Sequence, residues 1–106
     1  LVVGTSYLGI GETPTPSVQT FELVGNYPNP FNPTTTIEFT LGNTSRVNLT
    51  VFNTLGQEVA VLAREEQLSA GSHTVTFDAS HLTSGIYLYT LQAGSFSETR
   101  KMALVK

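Results

Sequence analysis

Three stretches of the chain alternate strictly between apolar and polar residues. Residues 37–41 read IEFTL, residues 47–51 read VNLTV, and residues 74–78 read TVTFD. Successive side chains of a β-strand point to opposite faces of a sheet, so a period of two is typical of strands. Each stretch therefore predicts a strand that packs one face on a core and exposes the other to water.

Turn-forming residues separate the apolar stretches at intervals of roughly ten residues. In chain order the turn segments are PNPFNP, GNTS, NTLGQ, SAGS, HLTSG and AGS. Short strands at this spacing are typical of an all-β sandwich or barrel. The pattern predicts about seven strands between Phe21 and Lys106.

Three further stretches need separate interpretation. IYLYTL (residues 86–91) is apolar on both faces, which predicts a central strand that is covered on both sides or flanked by a partner surface. VAVLAREEQL (residues 59–68) predicts a strand followed by an irregular turn, and ETRKMALVK predicts the closing strand.

The first nineteen residues differ in composition from the rest. Residues 1–11 are apolar and broken by glycine, and residues 12–19 carry two prolines among threonine and serine, as in an extended linker. We place the domain boundary here, with the β-sandwich in residues 20–106. Residues 1–11 are either the end of a preceding domain or a donor strand for a neighbouring copy. Because the chain begins with Leu1, we expect it to be part of a longer protein.

Composition narrows the class of function. The 106 residues are enough for one domain with its own core. Only 12% are charged, and five basic residues against eight acidic ones give a net charge of -3, which argues against a nucleic-acid partner. There is no cysteine, so disulfides and thiolate metal sites are excluded.

Residues that could carry out catalysis are scarce. His73 and His81 lie at a strand start and in a turn, and Asp78 and His81 stand near Ser80 and Ser84 without the turn of an activated nucleophile. No phosphate-binding glycine motif and no acidic cluster suited to a cation is present. The sequence predicts a non-catalytic domain with no cofactor and no metal.

Two weaker possibilities concern carbohydrates. Tyr87, Tyr89 and Phe96 would form a platform for sugar rings if they shared an exposed strand face. Asn43 and Asn48 lie in acceptor sequons for asparagine glycosylation, which matter only in a host that carries out this modification.

The segment NYPNPFNP (residues 26–33) predicts a stiff turn, and the alternative is that its backbone and Asn carbonyls hold a cation. Pro28, Pro30 and Pro33 fix their own φ angles and restrict the residues before them, so little conformational freedom is lost on folding. Phe31 is then held where it plugs one end of the sandwich.

Four segments, taken in chain order, resemble those of a known family: YPNPFNPTTTIEFTL, VNLTVFNTLGQEVAVL, AGSHTVTFDASHLTSGIYLYTLQAG and TRKMALVK. Together they resemble the type A C-terminal sorting domain of proteins exported by the type IX secretion system, and the related immunoglobulin-like domain of the flagellar hook-capping protein. The resemblance implies an immunoglobulin-like antiparallel β-sandwich of seven strands. It also implies a preceding cargo domain, an outer-membrane translocon and a sortase as partners, and a location at the outer-membrane surface or outside the cell.

The resemblance also singles out residues. Those that match its structural signature are Pro28, Asn29, Pro30, Phe31, Leu55, Gly56, Glu58, Gly71, Gly85 and Tyr87. Those expected to be recognised by the translocon are Lys101, Met102, Ala103, Leu104, Val105 and Lys106. From the residues alone, Gly56 and Gly71 are expected at turns with positive φ, and Leu55 and Val59 are expected to point back to the core.

The closing segment KMALVK has two interpretations. As an edge strand it offers unpaired backbone groups to a receptor by strand addition, with Lys101 and Lys106 beside them; otherwise it is a plain closing strand with charged ends. An alternative function is a structural subunit of an extracellular filament, in which residues 1–11 pair with a neighbouring copy. A sugar-binding module is the third hypothesis.

Overall fold

The computed structural model describes residues 20–106, which form two antiparallel β-sheets and no helix. The predictions for residues 1–11 and 12–19, including the donor strand, lie outside the described residues. The seven strands are β1 (Glu22–Tyr27), β2 (Thr34–Leu41), β3 (Ser45–Asn53), β4 (Glu58–Leu68), β5 (Gly71–Asp78), β6 (Gly85–Ala93) and β7 (Phe96–Leu104). The described residues include no helix long and apolar enough to cross a membrane.

The strands are divided between a three-stranded sheet in the order β1-β2-β5 and a four-stranded sheet in the order β4-β3-β6-β7. Every pairing of strands within the sheets is antiparallel. The predicted all-β architecture with seven strands is confirmed. Strands β1 and β7 are edge strands of different sheets.

The alternating stretches of the sequence supply the core. In β2 the residues Ile37 and Phe39 are fully buried, while Glu38 between them is partly exposed. Strand β3 repeats the alternation, with Leu49 buried and Thr50 on the outer face. Burial of each large apolar side chain stabilises the fold by about 1.5–3 kcal/mol, so the period of two is the main determinant of the sandwich.

Strand β6 is central in its sheet, as predicted, but only its inner face is buried. Tyr87 and Tyr89 point into the core, whereas Leu88 is half-buried and Ile86 is 45% exposed on the outer face. No second layer within residues 20–106 covers that outer face.

The prediction that an irregular turn follows the strand within residues 59–68 is wrong, because β4 continues to Leu68. The register between β3 and β4 shifts at three places, and Glu65 has a φ of 49°. Opposite this irregularity, the Asn48 side chain accepts a bond from the Glu65 backbone N–H at 3.0 Å and donates to its carboxylate at 2.7 Å. The Asn48 side chain therefore bonds to Glu65 where the pairing of β3 with β4 is irregular, and β4 continues as a strand to Leu68.

The hairpin between β3 and β4 is organised by Asn53. Its Oδ1 accepts bonds from the backbone N–H groups of Leu55 and Gln57, both at 3.0 Å. Gly56 has the expected positive φ, at 82°. Leu55 was expected to point to the core, which is wrong: it is 82% exposed at the tip of the hairpin. Val59, the other residue expected there, is half-buried against the core.

Candidate functional site

The closing segment (residues 101–106) alternates between the core and the solvent. Met102 and Leu104 are almost fully buried, at 1% exposure each. Lys101, Val105 and Lys106 are exposed, and Ala103 between the two buried residues is half-buried. Met102 and Leu104 therefore anchor the segment in the core, and a partner has access to the other residues only.

The outer edge of this segment is not free for strand addition at Ala103 and Val105. Phe31 forms a parallel bridge with Leu104, donating its N–H to the Ala103 carbonyl and accepting from the Val105 N–H, both at 2.9 Å. Contrary to the edge-strand interpretation, the backbone groups of Ala103 and Val105 are therefore paired, because Phe31 in the proline turn (residues 28–33) forms an isolated bridge beside them.

The side chain of Asn29 adds two contacts to the same edge of β7. Its side-chain Oδ1 accepts the Ala103 N–H at 3.0 Å, and its Nδ2 lies 3.5 Å from the Lys101 carbonyl. Phe31 is 2% exposed, and its ring is tilted against that of Phe77 at 6.4 Å. Phe31 therefore belongs to the core, and its predicted place at one end of the sandwich stays a prediction. The proline turn connects one sheet to the edge strand of the other.

A buried polar network holds the proline turn in place. The Thr35 hydroxyl, which is 1% exposed, donates to the Pro28 carbonyl at 2.9 Å. Asn26 donates to that hydroxyl at 3.1 Å, and its Oδ1 accepts from the Tyr89 hydroxyl at 3.1 Å. The pKa of Tyr89 is raised, first by burial and also by the Glu98 carboxylate, while Arg100 lowers it. The side-chain amides of Asn26 and Asn29 are thus bonded within the protein.

The cluster of Asp78, Ser80, His81 and Ser84 is a turn that receives the end of the closing segment. The Asp78 carboxylate accepts the Ser80 N–H at 2.9 Å, and this bond lowers the pKa of Asp78. Lys106 donates its backbone N–H to the Ser84 hydroxyl at 2.9 Å and its ammonium group to the Ser80 carbonyl at 2.6 Å. These contacts fasten Lys106 to the loop between β5 and β6, and they form no activated nucleophile.

The aromatic residues proposed as a sugar platform do not form one. Tyr87 and Tyr89 are 6% and 1% exposed, because their strand face is the core face. The Tyr87 hydroxyl donates to the Thr83 carbonyl at 2.7 Å. Phe96 stacks on Phe21 with ring centroids 5.6 Å apart. The sugar-binding hypothesis loses its proposed site.

The remaining candidate residues have structural contacts. The His73 ring stacks on Phe39 at 5.6 Å, and its Nε2 lies 2.7 Å from the Ser69 carbonyl. Within residues 20–106 no three residues of the His, Asp and Glu types come together as a metal site. Of the two sequons, Asn48 uses its amide inside the sheet, whereas Asn43 lies exposed in the turn before β3.

The signature glycines lie where strands begin or turn. Gly71 opens β5 with a φ of 120°, and Gly85 opens β6 with a φ of 156°. Nothing lies within 4 Å of the position that a Cβ would occupy at either residue, so conformation rather than space favours glycine there.

The positions missed by sequence reasoning are polar partners across the sandwich. Arg100 donates from Nε to the Leu23 carbonyl at 2.8 Å, which links β7 to β1. Asn26 and Thr35 carry the buried network described above. A polar residue within a strand pattern gives little sign of such a role, and the only signal was the density of Asn and Thr around the prolines.

Comparison with known proteins identifies a family that matches most of the chain. No curated protein matches the chain. The model of a family described as the secretion system C-terminal sorting domain matches residues 26–105, which include the proline turn and the closing segment up to Val105. The role of this family implies a preceding cargo and a secretion machinery, and its proteins are secreted, either attached to the surface or released. The chain therefore belongs to the C-terminal sorting domain family of the type IX secretion system.

Proposed function

We propose that this domain is a non-catalytic address that directs a secreted cargo through the outer membrane, for attachment to the cell surface or for release. The observation that carries the proposal is the family match over residues 26–105. The partners are the outer-membrane translocon, which receives the folded domain, and a sortase, which removes it by cleavage near residues 12–19.

The translocon recognises exposed side chains of the closing segment rather than its backbone. The exposed members are Lys101, Val105 and Lys106, and Val105 presents an apolar side chain that is 55% exposed. Their positions are supported from beneath by Met102 and Leu104, which are buried. Because Phe31 occupies the backbone edge at Ala103 and Val105, side chains are what a partner meets there.

Deleting residues 102–106 does not test this mechanism cleanly. The deletion removes two core side chains, Met102 and Leu104, and the bonds to Phe31. Each large-to-small change of this kind in a core costs about 2–5 kcal/mol, so loss of export would follow from unfolding alone. A test must leave the core residues Met102 and Leu104 in place.

The test uses the whole chain fused to the C-terminal end of a periplasmic reporter in cells with an active type IX system. A triple variant, Lys101→Gln, Val105→Ser and Lys106→Gln, is expected to leave the reporter in the periplasm while thermal unfolding shows a folded domain. A matched control, Arg46→Gln with Arg64→Gln, removes two exposed charges elsewhere and is expected to export normally. Normal export of the triple variant would contradict recognition by the closing segment.

A further inference from the structure

The edges of the two sheets differ in how well they are protected. The edge strands are β1 and β5 in one sheet and β4 and β7 in the other. An edge strand presents backbone N–H and C=O groups that no neighbouring strand satisfies, and proteins protect such edges with bulges, charged side chains or covering segments.

Strands β1, β4 and β7 each carry such protection. The pairing of β1 shifts register between Leu23 and Gly25, and Arg100 donates to the Leu23 carbonyl. The pairing of β4 shifts at three places, and four of its eleven residues are charged. Strand β7 carries three charged residues, and Phe31 forms a bridge with its last residue, Leu104. These three edges are therefore poor templates for a further strand.

Strand β5 has none of these protections. It pairs with β2 over the whole of Gly71–Asp78 without a register shift. Residues 71–77 read GSHTVTF and include no lysine, arginine, aspartate, glutamate or proline. Within residues 20–106, the side of β5 that faces away from β2 is not paired with any strand. A regular, uncharged edge of this length can accept a further strand.

The two faces of β5 differ in polarity. Ser72, Thr74 and Thr76 are exposed on the outer face, whereas Val75 is half-buried and Phe77 is buried on the face toward the core. A strand that adds to this edge must therefore alternate in the same way, with polar residues outside and apolar residues inside. The sequence of β5 itself has that pattern.

We propose that β5 pairs antiparallel with β5 of a second copy of the chain, about a twofold axis at Val75. Residues directly opposite each other in an antiparallel pair point to the same face. This register sets Thr74 against Thr76 of the second copy on the outer face, and His73 against Phe77 on the inner face. Each pair occurs twice because the interface is symmetric, and the two three-stranded sheets become one sheet of six strands.

The patterns of charge and polarity favour a copy of the same chain. Copies repel each other through a net charge of -3, and this repulsion is smallest where the paired residues are neutral. With histidine neutral, Asp78 is the one charged residue of β5, and the twofold axis sets it opposite Ser72. Residues 1–11 suit the edge less well, because adjacent apolar residues at positions 2–3 and 7–8 would place an apolar side chain on the outer face.

The contact between the two copies is small. A pair of single strands buries less than the roughly 1,200 Å² at the lower end of stable interfaces. We therefore expect monomers at micromolar concentration and dimers near millimolar concentration. The closing segment belongs to the other sheet, so the pairing does not depend on the proposed function.

The test is sedimentation equilibrium and NMR of the whole chain between about 20 μM and about 2 mM, the range in which so small an interface forms. The average mass is expected to rise from 11.4 kDa towards that of two chains. The backbone amides of residues 72–78 are expected to shift with concentration. Those of β1, at the opposite edge of the same sheet, are expected to stay unmoved.

Two double variants at the same exposed positions test the register. Thr74→Lys with Thr76→Lys sets like charges against each other twice, and is expected to weaken dimerisation about tenfold. Thr74→Lys with Thr76→Glu sets opposite charges against each other, and is expected to dimerise at least as tightly as the parent chain. The control, Gln92→Lys with Ser95→Lys, adds two charges at exposed positions of the other sheet and is expected not to weaken dimerisation. Circular dichroism checks that each variant is folded.

Three results would overturn the proposal. A mass of one chain at the highest concentration would exclude the dimer. Equal effects of the two double variants at Thr74 and Thr76 would exclude the register centred at Val75. Amides of β5 that are protected from hydrogen exchange to the same extent at every concentration would show that another segment of the same chain occupies the edge.

Discussion

Phe31 in the proline turn is predicted to carry a large share of the stability, although it lies outside the seven strands. Its ring is 2% exposed and contacts that of Phe77. Truncation to alanine removes most of the buried surface and leaves a cavity, which costs about 3–5 kcal/mol for a buried phenylalanine. The free energy of unfolding of a small domain is about 5–15 kcal/mol, so this single change would remove a large fraction of the stability.

Urea unfolding of the whole chain, followed by circular dichroism, measures the loss. With a denaturant slope of about 2 kcal/mol/M, a loss of 4 kcal/mol lowers the midpoint by about 2 M. Leu55→Ala is the matched control: both residues belong to the signature, but Leu55 is 82% exposed and its truncation is expected to change stability by less than about 0.5 kcal/mol.

Phe31→Leu covers the case in which the alanine variant does not fold. Leucine keeps the backbone bonds to Ala103 and Val105 and fills part of the space, so a smaller loss of about 1–2 kcal/mol is expected. If the free energy of unfolding of Phe31→Ala lies within about 0.5 kcal/mol of that of the parent chain, the turn is not part of the core and the reasoning is refuted.

Three further predictions use the same unfolding assay. Tyr89→Phe is expected to cost about 0.5–1.5 kcal/mol because the Asn26 amide loses its donor, and more than Tyr27→Phe, whose hydroxyl bonds Glu38 at the surface; an equal or smaller loss would contradict the buried network. Gly56→Ala is expected to cost about 1–2 kcal/mol from its φ of 82° alone, since no atom lies near the added methyl, and Thr54→Ala is the neutral control. The pKa of Asp78 is lowered in the folded protein, so the ionised carboxylate stabilises the fold fully above its ordinary pKa of 3.8, and this stabilisation is lost as pH falls through the lower folded pKa. The Asp78→Asn variant is therefore expected to lose less stability than the parent chain between pH 7 and pH 2. Equal losses in the two proteins would refute this.

The strands and the core were predictable because they depend on local pattern. Alternation along residues 37–41 and 47–51 places apolar side chains on one face whatever the rest of the chain does. Gly56 was predictable for a similar reason, since a tight hairpin needs a residue that tolerates positive φ.

Two of the errors in prediction came from contacts between distant parts of the chain. Ala103 bonds to Asn29, 74 residues away, and this pairing covers an edge that the closing segment alone presents as open. The continuation of β4 depends on Asn48, 17 residues from Glu65. Leu55 is apolar in sequence but lies at a hairpin tip where no element can cover it. Local pattern sets the strands, whereas the covered edge depends on how the two sheets meet.

The most direct test of the central claim compares two strains, one with a working type IX system and one without it. Each produces a periplasmic reporter that carries the whole chain at its C-terminal end, and the fraction of reporter open to external protease is measured in intact cells. Reporter is expected at the surface or in the medium of the first strain only. Equal amounts outside both strains, or none outside either, with the domain folded, would contradict its function as a sorting domain.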